Sequence, residues 1–325
     1  MIKRLLLTWL CLLTTCWPGV AASEEGIDFY GGSDIGTYQD ISEDLKGLLA
    51  EKHLALNIHE TDGSIENIKR IAASDKPSIG LVQADVLSFM RRSKNPDTQR
   101  FAERIRMIMP LYEEEVHILS HTDIKQFSDL HGKRVVVGQE GSGNMLTAVN
   151  LLAISNIRVG ETMRLSAPQG ALAVLEGRAD AVIYVGGKPV KLFKNIENLQ
   201  TADGKKFSNL LGNVHLIPVS SPAILAEYAT TSITPEDYQF VKETVPTIAV
   251  QAVLITGNYE EEGKEAACTL INKAAYAIRH NMDQLKKTGH PKWRDTNISL
   301  PISLWEKDSC SWPNKKSRIN PKKAN

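Results

Sequence analysis

Long hydrophobic runs are missing from this chain. Its most apolar stretch, Leu5-Leu6-Leu7-Thr8-Trp9-Leu10-Cys11-Leu12-Leu13, is too short to span a bilayer. Excess charge is missing too: 38 Lys and Arg balance 38 Asp and Glu, which argues against a general nucleic-acid binder. Cysteine is scarce, with four in the whole chain. The eight histidines make no metal motif. His117 and His121 are four apart, but on a strand and its exit they do not share a helix face. No Ser-His-Asp or Cys-His set can be assembled, so catalytic residues, a metal and a cofactor are all unexpected.

What is present begins at the N terminus. Met1-Ile2-Lys3-Arg4 supplies two positive charges, the apolar stretch follows, and Val20-Ala21-Ala22 closes it with small residues. That is the pattern of a secretory signal cleaved near Ala22-Ser23. An uncleaved anchor is the alternative. Cys16 follows Leu13-Thr14-Thr15 as a lipidated cysteine would, but Thr15 is bulkier than the small residue such a site needs. Without Lys3 and Arg4 the remaining chain has 38 − 2 = 36 basic and 38 acidic residues.

Cys11 and Cys16 lie in the signal, leaving Cys268 and Cys310. An exported protein can keep a disulfide, and these two would tie the C-terminal segment to the last long helix. Spacing alone leaves that pairing open. Pro313 to Asn325 is polar and basic and reads as a disordered, solvated tail.

Between these ends strands and helices alternate. Ile27–Tyr30 reads as a strand, and Ile41, Leu45, Leu48 and Leu49 recur at helical spacing. Leu54, Leu56 and Ile58 alternate as a strand. Ser64 is placed to cap a helix carrying Ile65, Ile68 and Ile71. Ser78–Val82 is a third strand, followed by a helix. The pattern restarts with strands at 116–120 and 134–138, a helix opening at Gly141-Ser142-Gly143-Asn144 with Leu146, Val149 and Leu152 inward, and a strand at 162–165. A helix over 169–176 and strands at 181–185, 214–219 and 248–255 complete it. Pro222 and Pro235 suit first helical turns, and one long helix spans about 260–287. This is an α/β fold with mainly parallel sheet, in two successive sets that suggest two similar lobes. Ligands in such folds sit where the loops after the strands converge.

Those loops hold small and neutral polar residues. Gly31-Gly32-Ser33-Asp34-Ile35-Gly36-Thr37 lacks the lysine of a phosphate loop. It serves either for close approach to a ligand, with Ser33 and Tyr38 as hydrogen-bonding groups, or as a tight turn needing positive φ. Gly141-Ser142-Gly143-Asn144 lies past a strand at a helix start, where free N–H groups favour an anion; plain capping by Ser142 is equally consistent. Asp62-Gly63-Ser64-Ile65-Glu66-Asn67 repeats that geometry, with Ser64 and Asn67 either facing a cleft or capping locally. Gln83 is a plausible polar contact. Tyr184, inside an apolar strand, reads as core by composition, and Glu113-Glu114-Glu115 reads as a solvated acidic run.

Taken in order, Gly31–Tyr38, Asp62–Asn67, Gly80-Leu81-Val82-Gln83-Ala84-Asp85-Val86, Gly141–Asn144 and Ala179–Pro189 resemble the TAXI family, the solute receptors of TRAP-type transporters. The resemblance runs from about Ile27 to Leu285. It implies a two-lobed type II periplasmic-binding-protein fold with a ligand cleft between the lobes. It also implies a monomer outside the inner membrane, in the periplasm, that captures a small organic anion such as glutamate or 2-oxoglutarate. The residues it raises as cleft residues are Gly32, Ser33, Tyr38, Ser64, Asn67, Gln83, Ser142, Gly143, Asn144 and Tyr184. Three features depart from the family pattern. Gln39 follows Tyr38 where a second aromatic is common, Asn144 stands where threonine is common, and the region after Gly289 carries Trp293, Trp305 and Cys310.

The expected division is a signal at 1–22, one lobe from 23–120 plus 248–310, the other from 121–247, and a basic flexible tail at 311–325. Closure of the lobes over ligand would shift a hinge equilibrium, and the closed form would dock on a TRAP-type permease. A receptor that presents ligand to a membrane sensor is the alternative output. An exported hydrolase is the alternative from another class.

Overall fold

The computed structural model describes residues 26–34, 36–200, 211–301 and 305–312. The expected signal, and the tail beyond Trp312, lie outside them. In chain order the elements are β1 (Ile27–Tyr30), α1 (Thr37–Ala50), β2 (Leu56–His59), α2 (Ser64–Ala73), β3 (Ser78–Gln83), α3 (Ala84–Arg92), α4 (Pro96–Arg104) and β4 (Ile105–His121). Then come β5 (Arg134–Val136), α5 (Gly143–Ile154), β6 (Glu161–Met163), α6 (Ala167–Leu175), β7 (Ala181–Gly186), α7 (Lys191–Lys194), β8 (Val214–Leu216), α8 (Pro222–Leu225) and β9 (Ala229–Ile233). β10 (Val245–Gly257), α9 (Glu265–His280) and α10 (Met282–Thr288) finish the series.

The strands form one sheet in the order β2-β1-β3-β10-β4-β7-β5-β6, with β8 on β4 and β9 on β10. Each end is parallel, β1 between β2 and β3, and β5 between β6 and β7. β10 runs antiparallel between β3 and β4, and β4 runs antiparallel to β7. These two long strands belong to both ends. Ile108, Met109, Leu111, Ala252 and Leu254 join the core beneath α1 and α9. Val116, Ile118, Ile248 and Val250 join the core beneath α5. The α/β fold implied above is therefore present: two parallel α/β units joined by antiparallel crossing strands, the periplasmic-binding-protein architecture.

Local physics explains where the sequence patterns held. Ile41, Leu45, Leu48 and Leu49 are buried along one face of α1. Ser142 caps α5, its Oγ accepting from the Met145 N–H at 3.1 Å. Pro222 sits in the first turn of α8.

Other expectations need correction. β4 begins at Ile105, not 116, and is buried almost throughout; a strand covered on both faces shows no alternation to read. Ser64 is not the cap of α2. Gly63 holds that position, and the Ser64 Oγ accepts instead from the Gln83 N–H at 3.1 Å. Val149 points outward at 48% exposure, while Thr147, Ala148 and Leu151 face the core. Pro235 lies in a turn. The long final helix breaks at Asn281 into α9 and α10.

The C-terminal segment returns to the first end of the sheet. Cys268 on α9 is bonded to Cys310, with Cα atoms 5.2 Å apart. The Met107 N–H donates to the Glu306 carbonyl at 2.9 Å, and the Asp308 N–H donates to the Met107 carbonyl at 2.9 Å. Ser311 is buried, and the Trp312 indole donates to the Ile108 carbonyl at 2.6 Å. Among the described residues, no helix is long and apolar enough to cross a membrane.

Candidate functional site

The loops that follow β1, β2, β5 and β6, with residues on β3, β4 and β7, surround a cavity of about 590 Å³. Both ends of the sheet line it. Of the sequence-predicted residues, Gly32, Ser33, Tyr38, Ser64, Gln83, Ser142, Gly143, Asn144 and Tyr184 all stand in its wall. Asn67 does not. Its amide donates to the carbonyls of Gly31 (2.6 Å) and Leu81 (2.7 Å), and its Oδ1 accepts from Thr61 at 2.6 Å. That side chain is fully engaged in holding α2 to the sheet, so ligand contact by Asn67 is corrected to a structural role.

Asn144 is in the wall but similarly engaged. Its amide donates to the Val137 and Ile183 carbonyls at 2.8 and 2.9 Å and accepts from the Val185 N–H at 2.6 Å. It splices the start of α5 to β7. The Ser142 hydroxyl, already accepting in its cap, donates to the Gln139 carbonyl at 2.7 Å. What this corner presents is therefore backbone N–H groups of the first turn of α5, more than side chains. The first glycine loop is a close-packing device rather than a positive-φ turn. None of Gly31, Gly32 and Gly36 has positive φ. A Cβ on Gly31 would meet the Ser42 Oγ at 2.8 Å.

The two ends touch around the cavity. The Thr37 hydroxyl donates to the Gly187 carbonyl at 2.7 Å, and the Glu66 N–H donates to the Gly141 carbonyl at 3.2 Å. The Thr147 hydroxyl donates to Asp85 at 2.7 Å, and Gln139 donates to Asp62. Gly143 fits only because it lacks a side chain: an added Cβ would lie 2.2 Å from the Gln83 Oε1 and 2.5 Å from the Ser64 Oγ.

Sequence reasoning missed the group at the cavity floor. Glu114 and Glu115 are not solvated; they are 1% and 2% exposed. Successive residues on β4 point to opposite faces, and each finds a different partner. Glu115 takes the Lys292 ammonium at 2.6 Å and the Lys188 N–H at 2.9 Å. Glu114 accepts from the Gln83 amide at 2.8 Å. The register explains that pair: Gln83 lies beside Ala252 and Glu114 beside Val250, so the two reach across β10 from either side. Burial pushes Glu114 up to about 8, with Asp85 and Glu115 adding to the shift. Burial likewise raises Asp85 to about 6. A run of three acidic residues carries no sign of this. Only its place inside an almost wholly buried strand reveals it.

Two polar atoms here are buried without a hydrogen bond: the Gln83 Oε1 and the Tyr38 hydroxyl, which faces Ser64 and Glu114. The wall also carries Asp34, Glu60, Asp62 and Glu66 against one guanidinium, Arg70, which pairs with Glu66 at 2.6 Å. Tyr184 closes the far side, its ring edge-on to Phe193 at 5.8 Å. Among the described residues no group of His, Cys, Asp or Glu is arranged to hold a metal ion.

Comparison with solved structures finds the same fold elsewhere. The chain is similar to MatC from Rhodopseudomonas palustris with bound malate at 13% identity, covering 85% of this chain and 90% of that one, with a TM-score of 0.51. It is similar to a structure described as a periplasmic transporter at 11% identity, covering 83% and 89%, with a TM-score of 0.50. At these identities the likeness is one of fold. Residues 21–299 match the model of the NMT1-like family. The chain belongs to the NMT1-like family, on an α/β periplasmic-binding-protein fold.

Proposed function

We propose that this protein is an extracytoplasmic solute receptor. It captures a small carboxylate-bearing ligand by closure of two lobes and delivers it to a membrane transporter of the TRAP type. The observation that carries the reading is the cavity of about 590 Å³, lined from both ends of the sheet and floored by buried polar groups. Such a cavity suits a small molecule. Residues 23–120 with 248–310 act as one lobe and 121–247 as the other, with β4 and β10 as the hinge. Contacts from both sides exist together only when the lobes meet, so ligand favours the closed form.

The first turn of α5 receives the ligand's carboxylate, because the helix dipole and the N–H groups not taken by the Ser142 cap favour negative charge without a buried cation. MatC's bound malate is a small carboxylate on the same fold. The ordered glycine and Asp-Gly-Ser motifs support the TAXI subfamily and hence the TRAP-type partner. The Cys268–Cys310 bond suits an oxidising compartment.

A thermal-shift screen of the purified protein against small carboxylates, amino acids and sugars tests this. A ligand that binds only the folded state raises the melting temperature by mass action. A concentration-dependent rise with at least one carboxylate is expected. A rise with neutral sugars alone would remove the α5 carboxylate site.

A further inference from the structure

A plain carboxylate leaves the floor of this cavity unexplained. Glu114 is 1% exposed, and among the described residues no cationic side chain pairs with it. Lys292, the nearby ammonium, is bound to Glu115 on the other face of β4. A buried carboxylate without a cation is costly. Since the Gln83 Nε2 donates to Glu114, the Gln83 Oε1 is left as an acceptor, and it is buried and unpartnered in a residue 4% exposed. The Tyr38 hydroxyl is unpartnered beside them. The set offers a carboxylate oxygen, an amide oxygen and a phenol oxygen. An ammonium group has three donors and no acceptor, and it meets that set once Glu114 gives up its proton; a second carboxylate would find only the Glu114 and Tyr38 O–H groups, with no cation paired beside them.

We propose that the cleft recognises a protonated amine through Glu114, Gln83 and Tyr38, so that its ligand is a small zwitterion rather than an amine-free acid. This rests on the receptor reading above. The geometry joins the two subsites: Gly143, at the start of α5, abuts the Gln83 Oε1 and Ser64. A ligand with adjacent amine and carboxylate spans from one to the other.

The arrangement also makes capture proton-linked. The titratable groups facing Glu114 are Asp85 from α3, Tyr38 from α1, Tyr184 from β7, and Tyr112 and Glu115 on its own strand. None is a cation. With burial holding Glu114 at about 8, the carboxyl carries a proton at neutral pH, and an arriving ammonium displaces it.

Isothermal titration of the full protein with matched pairs tests this: L-glutamate with 2-oxoglutarate, L-alanine with pyruvate, and L-leucine with its 2-oxo acid. Each pair differs only in an amine or a keto group, and malate is added as an amine-free control. At least one amino acid should bind about 100-fold tighter than its keto partner, because the site's acceptors are otherwise left unpaired. At pH 7, enthalpies in phosphate and Tris buffers should differ by close to one proton released per ligand. Glu114→Gln should abolish that release and cut the amine preference about tenfold or more. Tyr38→Phe, which keeps the ring in place, should weaken amine binding several-fold and serves if the glutamine variant does not fold. Equal or tighter binding of a keto acid or malate, without proton release, would overturn the amine subsite and leave the receptor standing. No heat with any of these compounds would remove both.

Discussion

Replacing Glu114 with glutamine should flatten the pH dependence of stability in the ligand-free protein. Free glutamate titrates near 4.5, and burial pushes Glu114 up to about 8. Between those values the folded chain binds a proton that the unfolded chain has lost. The favourable contribution is therefore complete below about pH 4.5 and is lost as pH rises through about 8. At 1.36 kcal/mol per pH unit, the whole gap is worth about 5 kcal/mol. Glutamine keeps the shape and an amide for Gln83 but cannot ionise. Urea denaturation of wild type and Glu114→Gln, at unit steps from about pH 4 to pH 9, isolates the effect. Asp85, raised to about 6, titrates in both proteins and cancels. Wild type should lose about 5 kcal/mol relative to the variant across that range. A relative change below about 1 kcal/mol would refute the claim that Glu114 is buried without a cation.

Three further outcomes follow from the same geometry. Gly143→Ala forces a Cβ to within 2.2 Å of the Gln83 Oε1; ligand affinity should fall at least about tenfold while the fold is kept, and small-angle scattering should report a more open particle. Lys292→Met leaves Glu115 buried without its ammonium and should cost about 3–5 kcal/mol in denaturation, partly restored by the double variant with Glu115→Gln. Cys310→Ser opens a closed loop with a sequence separation of 42, which chain entropy values at about 4 kcal/mol; an unchanged denaturation midpoint would show that the hydrogen bonds of the C-terminal segment suffice.

The alternation of strands and helices was legible because the outer elements are amphipathic. Ile41, Leu45 and Leu48 declare the buried face of α1, and Ser142 declares a helix start. The crossing strands were harder. β4 contains Pro110 and three consecutive glutamates, and burial on both faces leaves no period of two. For the same reason the most informative residue of the cavity, Glu114, read as surface. The glycine loops pointed to the right corner of the molecule, but the reason differs by residue. Gly143 makes room for the opposite wall, while Asn67 and Asn144 hold backbone in place. A polar side chain near a cleft is equally able to serve the ligand or the scaffold, and only its hydrogen-bond partners tell which.

The position of β10 has a consequence for how the chain is made. β3 ends at Gln83, yet its sheet neighbour does not arrive until Val245–Gly257. Until then the first parallel unit has an open edge, and its core lacks Ala252, Leu254 and all of α9. Contacts this distant in sequence form slowly, because the intervening chain must first be ordered. A polypeptide emerging from the ribosome thus stays incomplete for most of its synthesis. For a protein that is threaded through a membrane unfolded, as the proposed receptor would be, that delay keeps the chain competent for translocation and confines folding to the far side.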